Sequence, residues 1–163
     1  MTEIFDMFED EKPSILYVDD ERDNLTTFKS VFRRSFDVSV ALSGQEGIEL
    51  MKSKKIELVI TDQRMPSMTG VEFLKQTVDD YPDIVRMILT GFSDIKDIID
   101  AINNGKVHAY ITKPWHKEEL NIAINNALNI VREKKKQSKI IKDLKKEVET
   151  LKSEVDRLKR NLV

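Results

Sequence analysis

The chain has 163 residues, of which 40% are hydrophobic and 34% charged; its formal net charge is −2 and it contains no cysteine. This composition provides for a packed core, and it excludes disulfides, a thiol nucleophile and a cysteine-ligated metal. No apolar run reaches the ~20 residues that a membrane span needs, and the acidic start does not resemble a signal peptide, so we expect a cytoplasmic protein.

The charge is unevenly distributed along the sequence. From Val131 onward there are 12 Lys and Arg against 6 Asp and Glu, a net charge of +6, which leaves −8 for residues 1–130. An acidic body followed by a basic C-terminal segment predicts two regions with different roles. Residues 1–12 form a short acidic arm, which we expect to be frayed. The alternative is an apolar helical turn, built from Ile4, Phe5 and Phe8, that docks on the body.

The body alternates between two kinds of apolar pattern. Short β-branched runs predict five strands, and stretches with apolar residues at helical spacing follow each of them. The predicted strands are 14–18, 37–41, 58–62, 84–90 and 109–112, and the helices are centred on 25–32, 44–51, 71–78 and 95–102, with a fifth beginning near 117. This alternation predicts an α/β fold with a five-stranded, parallel, doubly wound sheet.

Polar side chains follow four of the predicted strands at their carboxyl ends. Asp19 and Asp20 follow the first strand, Asp62 ends the third, Thr90 the fourth, and Lys113 follows the fifth. Each has an ordinary explanation by itself, as a loop residue or a helix cap. Parallel strands bring their carboxyl ends to one edge of the sheet, where such folds place their chemistry, so we expect these five side chains to lie together.

This set of residues suits phosphoryl transfer to a carboxylate. Asp62 is the candidate nucleophile, because a carboxylate can form an acyl phosphate. Asp19, Asp20 and Asp62 offer the hard oxygen ligands that Mg²⁺ prefers. Lys113 brings a positive charge, and the Thr90 hydroxyl a hydrogen bond, to phosphoryl oxygens.

Four motifs, in order, resemble the receiver domain of two-component response regulators over about residues 13–130. They are Val18-Asp19-Asp20-Glu21, Asp62-x-x-Met65-Pro66-x-Met68-x-Gly70, Leu89-Thr90-Gly91 and Tyr110-x-x-Lys113-Pro114, the last of which supplies both an aromatic and a Lys-Pro step. The resemblance implies a flavodoxin-like fold and phosphorylation of Asp62 by a histidine kinase or histidine phosphotransfer protein.

The resemblance also implies roles for individual residues. It implies Mg²⁺ held by Asp19, Asp20, Asp62 and the backbone carbonyl of Arg64, a cis Lys113–Pro114 bond, and a switch formed by Thr90 and Tyr110. Arg64 and Phe92 occupy positions that vary in the family, and we expect both to flank the path of the water that hydrolyses the acyl phosphate. Plain surface positions are the alternative for these two.

The C-terminal segment, residues 131–163, repeats apolar residues at alternating steps of three and four. Ile141, Val148, Val155 and Leu162 fall at heptad position a, with Leu144, Leu151 and Leu158 at d. Mostly β-branched a positions with Leu at d favour a parallel dimer through residues 141–162. A helix folded back onto its own domain is the alternative. The basic run 132–136 is interpreted as a solvated helix face, and direct nucleic-acid binding is not expected.

The sequence thus predicts a response regulator whose receiver acts through a coiled-coil homodimer, and an enzyme is not expected beyond slow self-phosphorylation and self-dephosphorylation. The alternatives are a phosphorelay carrier and a phosphatase-like enzyme with an Asp nucleophile. Those phosphatases place a second acid two residues beyond the nucleophile, where this chain has Arg64. The expected division is an arm at 1–12, a receiver at 13–130 and a coiled-coil helix at 131–163. The cognate kinase, the signal, the acyl-phosphate lifetime and any output domain beyond Val163 are left open.

Overall fold

A computed structural model describes residues 12–162, apart from the side chain of Phe92. The arm prediction therefore lies outside the described residues. Five strands alternate with five α-helices, and a short 3₁₀ turn, Phe92–Asp94, precedes the fourth helix. The strands are β1 (Ser14–Val18), β2 (Asp37–Ala41), β3 (Leu58–Asp62), β4 (Val85–Thr90) and β5 (Ala109–Thr112); the helices are α1 (Arg22–Phe32), α2 (Gly44–Ser53), α3 (Gly70–Thr77), α4 (Ile95–Asn103) and α5 (Lys117–Asn161).

All strand pairs are parallel, and the strands lie in the order β2-β1-β3-β4-β5. This arrangement confirms the predicted five-stranded doubly wound sheet. Each predicted strand lies within one residue of its observed bounds. The predicted helices at 44–51 and 71–78 lie within two residues of α2 and α3, and the apolar stretches at 25–32 and 95–102 fall inside α1 and α4. Strands β1, β3 and β4 are buried almost throughout, as expected for central strands covered on both faces.

The two faces of the sheet are packed differently. On one face, α2, α3 and α4 cover a mainly aliphatic core that includes Val59, Phe73, Leu74 and Ile98. Residues of β1 alternate between faces, and Tyr17 points to the other one, where it stacks on Phe28 of α1 with ring centroids 4.2 Å apart. The rings of Phe32 and Trp115 continue this aromatic cluster, 5.7 Å apart.

Local capping follows the sequence in some helices and departs from it in one. Ser43 and Thr69 cap α2 and α3 by accepting hydrogen bonds from Glu46 N and Glu72 N. Asp23 and Asn24 are residue types that favour N-cap positions, so the sequence predicts that one of them caps α1, and this prediction is wrong. Glu21 occupies the N-cap position without a side-chain bond, and the Asn24 amide donates to Asp19 instead.

The chain divides into two units between Leu128 and Asn129. We call the described part of the first, residues 12–128, the receiver unit, and that of the second, residues 129–162, the tail. Helix α5 begins in the receiver unit and runs through the tail, and the sequence after Pro114 contains neither Gly nor Pro, the residues that most disfavour a helix interior. Among the described residues, no helix has the length and apolarity needed to cross a membrane.

Candidate functional site

The site lies at the carboxyl edge of the sheet, and its register is fixed by backbone hydrogen bonds that extend past the strand ends. Val18 pairs with Thr61, so Asp19 and Asp62 follow in adjacent positions on β1 and β3. The backbone N–H of Asp19 donates to Ala41 O at 3.1 Å, and that of Lys113 donates to Thr90 O at 2.8 Å. These bonds hold the residues just beyond the strands in fixed places.

A lysine connects two of the three carboxylates at this edge. Lys113 Nζ lies 2.6 Å from Asp62 Oδ1 and 3.4 Å from Asp19 Oδ2. Ligand atoms of Asp19, Asp20 and Asp62 lie within 4.8 Å of one another. The structure therefore brings together three acids and one lysine from three separate parts of the sequence.

Burial and charge shift the ionisation of this pair. Burial raises the pKa of the Asp62 carboxyl, although the ammonium of Lys113 acts in the opposite direction. Burial also opposes the charge on Lys113, but its hydrogen bond to Asp62 and the charges of Asp62 and Asp19 outweigh this and raise the pKa of the lysine. Lys113 thus remains a cation beside the candidate nucleophile.

Asp19 is held by more contacts than the sequence indicated. Its Oδ2 accepts hydrogen bonds from the Tyr17 hydroxyl at 2.7 Å and the Asn24 amide at 3.0 Å, and its Oδ1 accepts one from the backbone N–H of Glu21 at 2.9 Å. Burial, followed by this hydrogen bond to Asp19, raises the pKa of Tyr17 far above its usual range. Sequence analysis missed Tyr17, because a tyrosine in an apolar strand resembles a core residue; its place two residues before Asp19, on the same strand face, was the available signal.

The loop after Asp62 passes close to the helix that follows it. Gly70 packs against the backbone carbonyl of Asp62 so closely that a Cβ would collide with it, which explains the glycine in the Asp62–Gly70 motif. The side-chain carbonyl of Gln63 accepts a hydrogen bond from Val71 N at 3.0 Å and ties the loop to the start of α3.

Arg64 extends from the same loop toward the start of α4. Its Nε donates to Asp94 Oδ2 at 2.8 Å, and a terminal nitrogen donates to Ser93 Oγ at 2.7 Å. Sequence analysis placed Arg64 beside the water path but did not find this ion pair, which joins residues 30 positions apart. The side chain of Phe92, the other residue predicted there, lies outside the described part of the structure.

The two predicted switch residues lie on neighbouring strands. Thr90 is buried, and its hydroxyl donates to Gly91 O at 2.8 Å. Tyr110 pairs with Ile88 on the strand beside it, and its side chain is 37% exposed. The Lys113–Pro114 bond is cis, as the resemblance implied.

The fold and this edge define a flavodoxin-like receiver. Residues 15–125 match the model of the response regulator receiver domain, and the chain belongs to that family. The hydrogenase transcriptional regulatory protein HoxA of Cupriavidus necator is 34% identical over 119 residues, which cover 73% of this chain and 25% of HoxA. The chain thus spans about a quarter of the length of the regulatory proteins it matches first.

Two solved structures show the same similarity at the level of the fold. A response regulator receiver domain protein from Clostridium thermocellum is 33% identical, with a TM-score of 0.69 over 74% of this chain and 97% of that one. A structure described as adenylate cyclase from Rhodopirellula baltica is 28% identical, with a TM-score of 0.76 over 80% of this chain and 98% of that one.

Proposed function

We propose that this chain is a response regulator that accepts a phosphoryl group on Asp62 from a histidine kinase or a histidine phosphotransfer protein. The observation that carries the proposal is the placement of Lys113, 2.6 Å from Asp62 and 3.4 Å from Asp19. A carboxylate oxygen of Asp62 attacks phosphorus, an O–P bond forms, and the P–N bond to the donor histidine breaks. Lys113 Nζ then pairs with a phosphoryl oxygen in place of the carboxylate.

The acidic edge fits a magnesium ion. Three carboxylates with ligand atoms within 4.8 Å of one another supply the hard oxygen donors that this ion prefers. We propose that Asp19, Asp20, Asp62 and the backbone carbonyl of Arg64 hold it. When bound, the ion screens the negative charge that would otherwise repel an incoming phosphoryl group.

Thr90 and Tyr110 are the proposed switch. Thr90 ends β4, which lies beside β3 and Asp62. Its hydroxyl donates to Gly91 O rather than to Asp62. We propose that the hydroxyl turns to a phosphoryl oxygen, and that Tyr110, which is partly exposed, turns inward behind it. The change alters the surface formed by α4, β5 and α5.

The acceptor is tested by intact mass after treatment with acetyl phosphate and Mg²⁺. The wild type should gain one phosphoryl group, about 80 Da, which corresponds to one modification site. Asp62→Asn should gain none, because an amide cannot take the acyl phosphate. Asp37→Asn is the matched control, because Asp37 begins β2 at the opposite edge of the sheet and is exposed. A mass gain in Asp62→Asn would refute the assignment.

The phosphatase-like alternative is disfavoured by the residue two positions beyond Asp62. A second acid is expected there, but Arg64 occupies the position and its guanidinium pairs with Asp94. The two functions differ in turnover of p-nitrophenyl phosphate. A regulator should release at most one slow equivalent per Asp62, whereas repeated turnover lost in Asp62→Asn would favour the enzyme.

We propose that the signal leaves through a parallel homodimer formed by residues 141–162. The apolar a and d side chains from Ile141 to Leu158 are 47–54% exposed, so they offer a surface that a second copy can cover. Glu147 and Glu154 at g match Lys152 and Lys159 at e of a partner helix. The division into an arm at 1–12, a receiver at 13–130 and a coiled-coil helix at 131–163 belongs to this proposal.

No particular output function is assigned to the protein. The relatives range in name from a transcriptional regulator to an adenylate cyclase, so similar receivers accompany different outputs. We propose that the tail transmits the signal to an output domain, which argues against a simple phosphorelay carrier, and that the protein acts in the cytoplasm.

A further inference from the structure

At the start of α4, an aspartate in the N-cap position forms an ion pair with another loop instead of capping the helix. Asp94 occupies the N-cap position of α4, but it also ends the 3₁₀ turn, and its backbone (φ −114°, ψ 13°) is not in the extended conformation that N-cap residues usually adopt. Within the described residues, its carboxylate accepts no hydrogen bond from the helix. Asp is among the most favourable N-cap residues, because it accepts hydrogen bonds from backbone N–H groups that the first turn leaves without partners. In the same chain, Ser43 and Thr69 do cap α2 and α3.

The carboxylate of Asp94 is bound to Arg64. Arg64 Nε lies 2.8 Å from Asp94 Oδ2, a terminal nitrogen lies 3.4 Å from Oδ1, and the same nitrogen donates to Ser93 Oγ. The hydrogen bond from Arg64 holds the pKa of Asp94 below its usual range. The Arg64 side chain is 71% exposed and that of Asp94 22% exposed, so water partly screens this ion pair and weakens it.

Arg64 is placed to respond to phosphorylation. It follows Asp62 by two residues on one loop, and the charge of Asp62 already acts on its guanidinium. A phosphoryl group would place nearly two negative charges and three acceptor oxygens at Asp62, where the ionised carboxylate carries one charge. Guanidinium–phosphate pairs are short and strong, so this new partner competes well with a carboxylate.

We propose that Arg64 changes partner on phosphorylation: its guanidinium leaves Asp94 for a phosphoryl oxygen, and the released Asp94 turns to an extended backbone conformation in which its carboxylate caps α4. This inference rests on the proposed phosphorylation of Asp62. Residues 91–94 connect Thr90 to α4. Phosphorylation would therefore act on both ends of this loop: Thr90 would draw its first residue toward Asp62, and the departure of Arg64 would release Asp94 at its last. The N-terminal turn of α4 thereby becomes more stable in the phosphorylated protein.

The competition for Asp94 is tested first without phosphate, by amide hydrogen exchange of the full chain measured by NMR. The N2 and N3 positions of α4 are Lys96 and Asp97, whose backbone N–H groups a capping carboxylate would bind. In Arg64→Gln, Asp94 is already released, so exchange at these two amides should slow about fivefold, the order that a good N-cap provides. Lys52→Gln is the matched control, because it removes an exposed cation from another ion pair, with Glu49.

The second arm compares resting and phosphorylated protein, with the added mass confirmed in each sample. Phosphorylated wild type should show the same slowing at Lys96 and Asp97 and a shifted side-chain Nε signal for Arg64. Asp94→Ala should gain the phosphoryl mass but no protection at α4. Unchanged exchange in resting Arg64→Gln, or in the phosphorylated wild type, would overturn the partner exchange. Failure of the wild type to gain mass would overturn the proposed function instead, and the resting comparison would still test Asp94.

Discussion

The receiver unit and the tail treat their apolar residues in opposite ways. In the receiver unit, side chains such as Phe28, Phe73 and Ile88 are fully buried against other parts of the same chain. In the tail, the seam residues from Ile141 to Leu158 stay about half exposed. The first unit has a core of its own, which gives it independent stability. The tail is a single amphipathic helix, whose stability depends on what covers its apolar stripe.

Charged groups show the same contrast between a buried receiver site and an exposed tail. Asp19 and Asp62 of the receiver site are buried and share Lys113, so removing one partner leaves a charge that is largely shielded from water. The tail carries exposed pairs three residues apart, such as Lys152 with Glu149 at 3.3 Å, and such pairs contribute little. Single substitutions should therefore act through folding and ligands in the receiver unit, and through association in the tail.

The largest expected effect tests the tail side of this comparison. Leu151→Lys places a charge at a d position in the proposed seam, so we expect loss of the dimer in sedimentation experiments at tens of micromolar. Truncation after Val131 should likewise give a mostly monomeric receiver. Ser153→Lys, at the outward f position, should remain dimeric. A monomeric wild type at that concentration, with and without phosphorylation, would rule out the proposed coiled-coil dimer.

The next effect tests the receiver side, at a residue remote from the proposed chemistry. Arg86 is buried in β4, and its guanidinium donates to the carbonyls of Lys106, Tyr81 and Ile84. Burial lowers the pKa of Arg86, but an arginine remains charged. Arg86→Ala removes these bonds and leaves a cavity, so the free energy of unfolding should fall by about 3 kcal/mol.

The control for this prediction is the exposed Arg34, which lies just after α1. Arg34→Ala should change the free energy of unfolding by less than about 0.5 kcal/mol, as for ordinary surface positions. Chemical denaturation followed by circular dichroism measures both variants. Equal stability of Arg86→Ala and wild type would show that the buried guanidinium does not hold these loops together.

The strands and most of the candidate site could be predicted from the sequence, because their signals are local. The run Leu58–Asp62 is apolar and β-branched, and an acid at its end must lie at the carboxyl edge of a parallel sheet. The same rule assigns Asp19 and Lys113 to that edge. The heptads of the C-terminal segment are equally local, but they predict a partner that a single chain does not contain.

Contacts between distant loops could not be predicted, because they depend on how the elements pack. Asn24 is a residue type that favours the N-cap of a helix. In the folded chain, however, Asp19 lies within reach of its side-chain amide and accepts a hydrogen bond from it. Asp94 has an equally favourable capping position, and it is taken by Arg64 from another loop. In both cases a tertiary hydrogen bond displaces the local one that sequence rules favour.

The smallest expected effect concerns the buried contacts around Asp19. Tyr17→Phe removes the hydroxyl that donates to Asp19 Oδ2 and keeps the ring that stacks on Phe28. We expect the free energy of unfolding to fall by about 1 kcal/mol, the usual net value of one hydrogen bond. Asp19 also loses a contact that orients it, so the affinity for Mg²⁺ alone should fall about tenfold, as is common when a residue behind a metal ligand is changed.

Fluorescence of Trp115, the only tryptophan, offers a probe for the titration with Mg²⁺, because its ring packs on the cluster that includes Phe28. Tyr81→Phe is the matched control in the receiver unit, and Lys152→Gln provides the corresponding loss of a polar contact in the tail. Both should keep the wild-type affinity. If Tyr17→Phe also binds Mg²⁺ as tightly as wild type, the hydroxyl does not orient Asp19. Loss of this buried contact would then affect Mg²⁺ binding no more than loss of an exposed contact in the tail.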